Sequence, residues 1–295
     1  MIGTRRDIDP DVEDLYRRMV KERHQIWLNR QSNAPQPWTN DPVLANLKMT
    51  NMFRVLAPGS QFVFELDGPN PTDVIARLVF YRLTNLPKTW RVLRNGLGYF
   101  PKAKDFTHRP QTLIDILVSY RDDGNRVFSG AYIIVPEPGT TNDKVEGAVR
   151  VTKTFVENNA WDFLRATTQE DMYRILKSTP GLGPFLSMQI LTDWNYLQVE
   201  EPDLTFVVAG PGARRGTAFL SRSMKPEAVI YDAALSWVDD PTVRLQGRSL
   251  TVMDVQNTFC EFSKYAREIS SPRKKTPYKP ANPGPQPRPV LPMWW

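Results

Sequence analysis

One short stretch restricts this chain more than any other: Pro180-Gly181-Leu182-Gly183-Pro184, a tight turn between two apolar-faced segments. Thr167 and Glu170 have capping-box spacing and predict a helix start before it. Met172, Ile175 and Leu176 share one face of that helix, and Lys177 lies near its end. Gly183-Pro184 opens the next helix, because proline is pre-set for a first helical turn. Phe185, Met188 and Leu191 give the second helix its stripe, with Leu186 and Ile190 beside it. Gly181 and Gly183 permit a close backbone turn, and Leu182 plugs the gap between the helices. Exposed N–H groups at such a helix N-terminus suit an anion, and Gly181, Leu182, Gly183 and Lys177 are the candidate DNA contacts. An ordinary helix–helix turn is the alternative reading.

The 295 residues suffice for a sizeable core. A net charge of +6 permits a polyanionic partner without demanding one. One cysteine, Cys260, precludes an intrachain disulfide, and two histidines, His24 and His108, give no zinc pattern. The start, Met1–Asp11, is too polar for a signal peptide, and no apolar run reaches membrane-spanning length. The expectation is a soluble cytoplasmic protein, in the host cytoplasm if the chain is viral, with no membrane partner.

Most of the chain reads as helix. Asp9–Arg30 is amphipathic, with Arg17, Arg18, Lys21, Arg23 and Arg30 on a face that is either solvated or turned to phosphate. Asp41 and Pro42 open a helix through Val55 that puts Asn51 and Arg54 one turn apart, on one ligand or on neighbouring helix ends. Thr72–Leu83 is a core helix with Arg77 and Arg82 embedded. A buried arginine needs an acceptor, and a structural carboxylate is expected for at least one of them. Pro110–Tyr120, Lys144–Asn158, Trp161–Arg165, Ala213–Arg222, Pro226–Val238 and Leu250–Arg267 follow the same helical spacing. Val127–Val135 is ambiguous and could add a short β-hairpin. The fold class is therefore all-α, in one domain over 1–269. The remainder, 270–295, is a basic, Pro-rich tail expected to be extended and disordered. Its terminal Met293-Trp294-Trp295 is a candidate to dock on the body or on a partner.

Several stretches together resemble one family: Glu22–Trp27 with Pro37–Asp41, Thr50–Arg54, Arg82–Asn85, Phe128–Tyr132, Gly181–Phe185, Ala209–Gly216 and Asp254–Tyr265. From about Asp11 to Arg267 the chain is similar to the α-glutamyl/putrescinyl thymine pyrophosphorylases, or amino acid:DNA transferases, of phage thymidine hypermodification. These are related to the helical domain of the 5-hydroxymethyluracil DNA kinases. The resemblance implies a helix-hairpin-helix DNA-glycosylase-like fold. It also implies a pyrophosphate-releasing transferase, which displaces pyrophosphate from 5-pyrophosphoryloxymethyluracil in double-stranded DNA with an amino acid or polyamine. A kinase phosphate loop is missing: Gly210-Pro-Gly-Ala-Arg-Arg-Gly-Thr217 lacks the required lysine. Glycosylase chemistry is also missing its usual groups. Phe185 stands where a catalytic lysine would, and Val208–Gly212 contains no acid. A glycosylase with a relocated acid and a non-catalytic DNA-binding module are the alternatives.

For the transferase, the expected catalytic groups are Arg214 and Arg215, after the Gly-Pro-Gly turn, and Asp254 and Glu261, two helical turns apart. The arginines would stabilise the pyrophosphate or else grip the duplex backbone. A carboxylate would deprotonate the amine, although spacing alone fits a solvated face with a Glu261–Lys264 pair. Asn51, Arg54, Arg77, Arg82, Tyr132 and Asn257 are the expected substrate contacts, and Trp38, Phe128 or Tyr132 could stack on the base. No organic cofactor is expected, and a divalent metal stays open because isolated carboxylates do not define a site.

Overall fold

A computed structural model of the chain describes residues 7–130, 143–272, 278 and 287–295. Among them are fourteen α-helices and no strand. In chain order they are α1 (Pro10–Gln31), α2 (Pro42–Asn46), α3 (Pro58–Gln61), α4 (Pro71–Thr84), α5 (Pro87–Leu97), α6 (Ala103–His108) and α7 (Pro110–Asp122). Then come α8 (Lys144–Asn158), α9 (Ala160–Arg165), α10 (Gln169–Ser178), α11 (Pro184–Tyr196), α12 (Pro211–Leu220), α13 (Pro226–Val238) and α14 (Val252–Ser270). Proline opens α1, α2, α4, α5, α7, α11, α12 and α13, so part of the chain's proline content marks helix starts rather than loops. Asp9, Asp41 and Asn70 cap three of these helices by accepting backbone N–H groups.

The chain divides into two compact units. One joins Met1–Ala57 to Leu204–Val290, and the other joins Pro58–Asp203 to Leu291–Trp295.

In the first unit α14 is the centre. Tyr16 of α1 stacks on Phe259 with ring centroids 4.4 Å apart, and its hydroxyl lies 2.6 Å from Thr258 Oγ1. α12 lies against α14 through Gly212 and Gly216. A Cβ at Gly216 would stand 2.0 Å from the Phe259 carbonyl oxygen, and one at Gly212 would stand 2.3 Å from Cys260 Sγ. These glycines therefore set helix separation. Gly210 is the N-cap of α12, and Gly212 already lies inside the helix.

In the second unit α4 is buried along most of its length, from Val74 to Thr84. Phe80 meets Trp90 of α5 and Phe106 of α6 edge-on or tilted. α10 and α11 form the expected helix pair. Thr168, one residue later than its sequence signature suggested, caps α10 by accepting from Asp171 N at 3.1 Å. Gly181 has φ +87°, and a Cβ there would meet Val151 of α8 at 2.5 Å, so the turn requires glycine. Leu182 is 3% exposed and does plug the gap.

Three expectations need correction. The helix expected through Val55 stops at Asn46. An extended Leu47 follows, and later a 3-10 turn covers Arg54–Leu56, so Asn51 and Arg54 do not share a helix face. α5 and α6 are additional to the helices expected from spacing, and Pro87 and the left-handed Gly98 bracket α5. Val127 is buried, Ser129 N donates to Thr84 O at 2.9 Å, and no strand forms among the described residues; 131–142 lie outside them. Arg273–Lys275 of the tail also lie outside. The chain terminus is attached: Trp294 is buried and its Nε1 donates to Asn195 O at 2.9 Å.

Candidate functional site

The polar stripe of α14 is buried rather than solvated: Asp254, Asn257, Thr258 and Glu261 are all inside. Asp254, Asn257 and Glu261 hold the segment Thr50–Arg54 by its backbone, while Thr258 meets Tyr16 of α1. Asp254 accepts from Arg54 N at 2.7 Å, and from Thr251 N and Oγ1 at 3.0 and 2.8 Å, as the third residue of a capping box. Burial pushes its carboxyl up from the ordinary value, against these three donors. Asn257 donates to Asn51 O at 3.0 Å and accepts from Thr50 Oγ1 at 3.3 Å. Glu261 accepts from Thr50 N at 3.2 Å and from Lys264 Nζ at 2.7 Å. The Glu261–Lys264 pair suggested by spacing is present, with Glu261 buried.

Arg23 is the residue that sequence reasoning underrated. Its Nη2 donates to Asn51 Oδ1 at 2.7 Å and to Met49 O at 3.2 Å, while Nη1 is buried without a hydrogen-bond partner among the described residues. Burial lowers its guanidinium to about 10, and the charge of Glu261 works the other way. The signal was present: Arg23 follows Met19 and Val20 by four and three residues, on the buried face of α1. Two other members of the same basic stripe are engaged elsewhere in this unit, since Arg17 and Lys21 pair with Asp240 at 2.8 and 3.0 Å.

Four charged side chains act on the Cys260 thiol through their charge. Glu261 raises the thiol, while Lys264, Arg215 and Arg54 lower it; burial dominates and pushes it up. Arg215 is exposed. Its neighbour Arg214 turns away, with Nε donating to Ala209 O at 2.9 Å and Nη2 reaching Glu227 at 3.4 Å. Hydrogen bonds thus gather Asn51, Arg54, Asp254, Asn257 and Glu261 along α14, while Arg214 and Arg215 stand on α12, Arg214 turned to Ala209 and Glu227.

The remaining candidates belong to the other unit. Arg77 donates to the carbonyls of Pro101, Leu66 and Asp67 at 2.8, 3.1 and 3.1 Å. Arg82 forms a buried two-pronged pair with Asp193, its Nη2 2.5 Å from Oδ1, and its Nη1 donates to Asn85 Oδ1 at 3.1 Å. That is the carboxylate the sequence called for. Both arginines are tied into the scaffold. Lys177, Gly181 and Gly183 are exposed at the hairpin. Gly183 has an ordinary φ of −74°, and a Cβ there would meet nothing within 4 Å. Tyr132 lies outside the described residues. Among the described residues, no three His, Cys, Asp or Glu side chains group as a metal site, and no helix is long and apolar enough to cross a membrane.

Residues 10–275 match the family described as the 5-hmdU DNA kinase, helical domain. The chain belongs to this family. The 5-hmdU DNA kinase of Bacillus phage SP10 is 22% identical over 233 residues, covering 70% of this chain and 36% of that protein. The chain therefore spans about a third of the length of that kinase. No solved structure matches it. The stretch nearest to a phosphate loop, Gly210–Thr217, lies at the start of α12, where Gly212 and Gly216 are packed on α14.

Proposed function

We propose that this helical-domain chain is a DNA-modifying transferase acting on duplex DNA that carries a derivatised 5-hydroxymethyluracil. An amine, from an amino acid or a polyamine, displaces pyrophosphate from the base's exocyclic methylene. One observation carries the reading: along α14 Asp254 holds the Arg54 backbone at 2.7 Å, while the buried Glu261, two turns on, is paired with Lys264 at 2.7 Å. Guanidinium and ammonium groups suit a leaving pyrophosphate, and a carboxylate suits an ammonium nucleophile. Family membership supports modified DNA as the partner, since the phage relative bears the name of a kinase acting on 5-hmdU DNA.

In the proposed step the amine nitrogen forms a bond to the methylene carbon. The carbon–oxygen bond breaks, and its electron pair leaves with pyrophosphate. The amine proton passes to the Glu261 carboxylate. Arg54 and Arg215 meet the growing charge on the leaving oxygens. Asp254 acts as a positioning residue, because all its described contacts hold Arg54 and the start of α14. The helix-hairpin-helix reading of α10 and α11 makes that pair the phosphate grip, with Gly183 at the open helix start.

Incubation with pyrophosphorylated hydroxymethyluracil DNA and candidate amines tests the proposal. Pyrophosphate release with a matching gain in base mass supports it. Abasic sites would instead indicate a glycosylase. DNA binding with neither product would leave a binding module, a reading favoured by the open turn at Gly183.

A further inference from the structure

One exposed side chain beside the hairpin is not explained by folding. Trp161 is 69% exposed, on a helix whose other anchors are fixed. Ala160 and Phe163 of α9 are buried, and Phe163 packs edge-on against Phe155 and Trp194 with centroids 6.1 and 5.3 Å away. Two residues before Trp161, Asn159 Nδ2 donates to Thr179 Oγ1 at 2.7 Å, and Thr179 begins the hairpin turn. The base of α9 is therefore fastened to the same turn that carries Gly181, Leu182 and Gly183. Arg165 lies over the Trp161 ring, 5.4 Å from its centroid, and neither Arg165 nor Lys177 has an ion pair among the described residues. Arg174 on α10 differs, being paired with Glu170 and Asp171.

We infer that Trp161 is a stacking platform for a nucleobase that has left the duplex stack, next to phosphates gripped at the hairpin turn. The inference rests on the DNA-binding reading above and adds a residue to it. An indole held out from a rigid turn loses little freedom when a base stacks on it. Arg165 on one face, with Lys177 on the hairpin, supplies the positive charge that a nearby backbone requires. Phe155, Phe163 and Trp194 of this unit pack ring against ring, whereas Trp161 is 69% exposed with the Arg165 cation over its ring.

The test uses the full chain and fluorescence anisotropy, with an uninterrupted duplex and one bearing a single bulged 2-aminopurine. The parent should prefer the bulged duplex and quench the probe. Trp161→Ala should remove the quenching and weaken bulged-duplex binding roughly tenfold, the scale of one lost base–aromatic stack. It should leave the salt dependence unchanged, since no phosphate contact is lost. Trp161→Phe should recover most of the binding, and circular dichroism should match the parent for both variants. Parent-like binding and quenching by folded Trp161→Ala would overturn the inference. If Gly183→Val weakens binding at the same time, the DNA reading stands and the stacking role alone falls. If the parent binds neither duplex, both fall.

Discussion

Replacing Gly216 with alanine adds one methyl group where α12 meets α14. That Cβ would lie 2.0 Å from the Phe259 carbonyl oxygen and 2.8 Å from its carbonyl carbon. Both are backbone atoms within a helix, so no side-chain rotation relieves the contact. Real contacts do not close below 3.0 Å, so the helices must part by about 1 Å, lifting the flanking Leu220 and Phe262 layers off their neighbours. Overpacking of this kind costs about 2–3 kcal/mol. In a chain of this size that is a fall in Tm of roughly 3–5 °C. Gly212→Ala should cost less, because its nearest obstacle is Cys260 Sγ at 2.3 Å, the end of a side chain one torsion long. Adding Cys260→Ala should recover much of that loss, a coupling of touching residues rather than simple addition. Thermal and urea unfolding followed by circular dichroism measure all three. A Gly216→Ala protein melting with the parent, or Gly212→Ala melting below Gly216→Ala, would refute the argument that these glycines set the helix spacing.

Four further outcomes are expected. Gly183→Val should fold like the parent yet bind DNA more weakly across all sequences in anisotropy titrations, whereas Gly181→Val should fail to fold well, having φ +87° and a contact with Val151. Asp193→Asn should destabilise by about 3–5 kcal/mol in urea melts, because it strands the buried Arg82 charge, while paired replacement of both by apolar residues should recover most of the loss. His24 is held below its ordinary value of 6.5 by burial, so its stabilising contribution is present above that pH and is lost as pH falls through 6.5, when the unfolded chain takes up the proton first; His24→Gln should flatten Tm against pH in that window. Glu261→Gln should slow single-turnover amine transfer with partial rescue at high pH, and Arg215→Ala should slow it roughly a hundredfold, whereas Arg214→Ala should change it little.

The hairpin was legible because its rules are local. A proline fixes the first turn of α11, a glycine supplies positive φ, and apolar spacing shows which faces meet. The carboxylate partner for a buried arginine was legible as a requirement, although its identity as Asp193, 111 positions away, was not. α14 shows where local reading ends. Its stripe of Asp254, Asn257, Thr258 and Glu261 reads as a solvated face because polarity is visible in sequence and burial is not. Three of the four meet Thr50–Arg54, a segment that looked helical only because Asp41-Pro42 is a true helix start, and Thr258 meets Tyr16. The stop at Asn46 has no glycine, and the chain continues extended because α14 offers side-chain partners to its backbone. The role of Gly212 and Gly216 was hidden for a related reason: four-residue glycine spacing serves close helix contact, and only the position of α14 shows which use applies.

This arrangement bears on how the two carboxylates of α14 divide their work. Asp254 has both oxygens taken by donors that never leave: a helix cap and the backbone N–H of Arg54. Burial already favours its neutral form, so a protonated Asp254 would lose acceptors that hold Arg54 in place. Its contribution to any chemistry at Arg54 therefore passes through the backbone. Glu261 differs in kind. One oxygen accepts from the Thr50 N–H, while the other faces Lys264, a side chain half open to solvent on a flexible stem. An ammonium nucleophile offers that oxygen the same chemistry as Lys264 and can replace it without breaking the backbone contact. In the transfer proposed above, displaced Lys264 would add its positive charge to those of Arg54 and Arg215 on the leaving pyrophosphate.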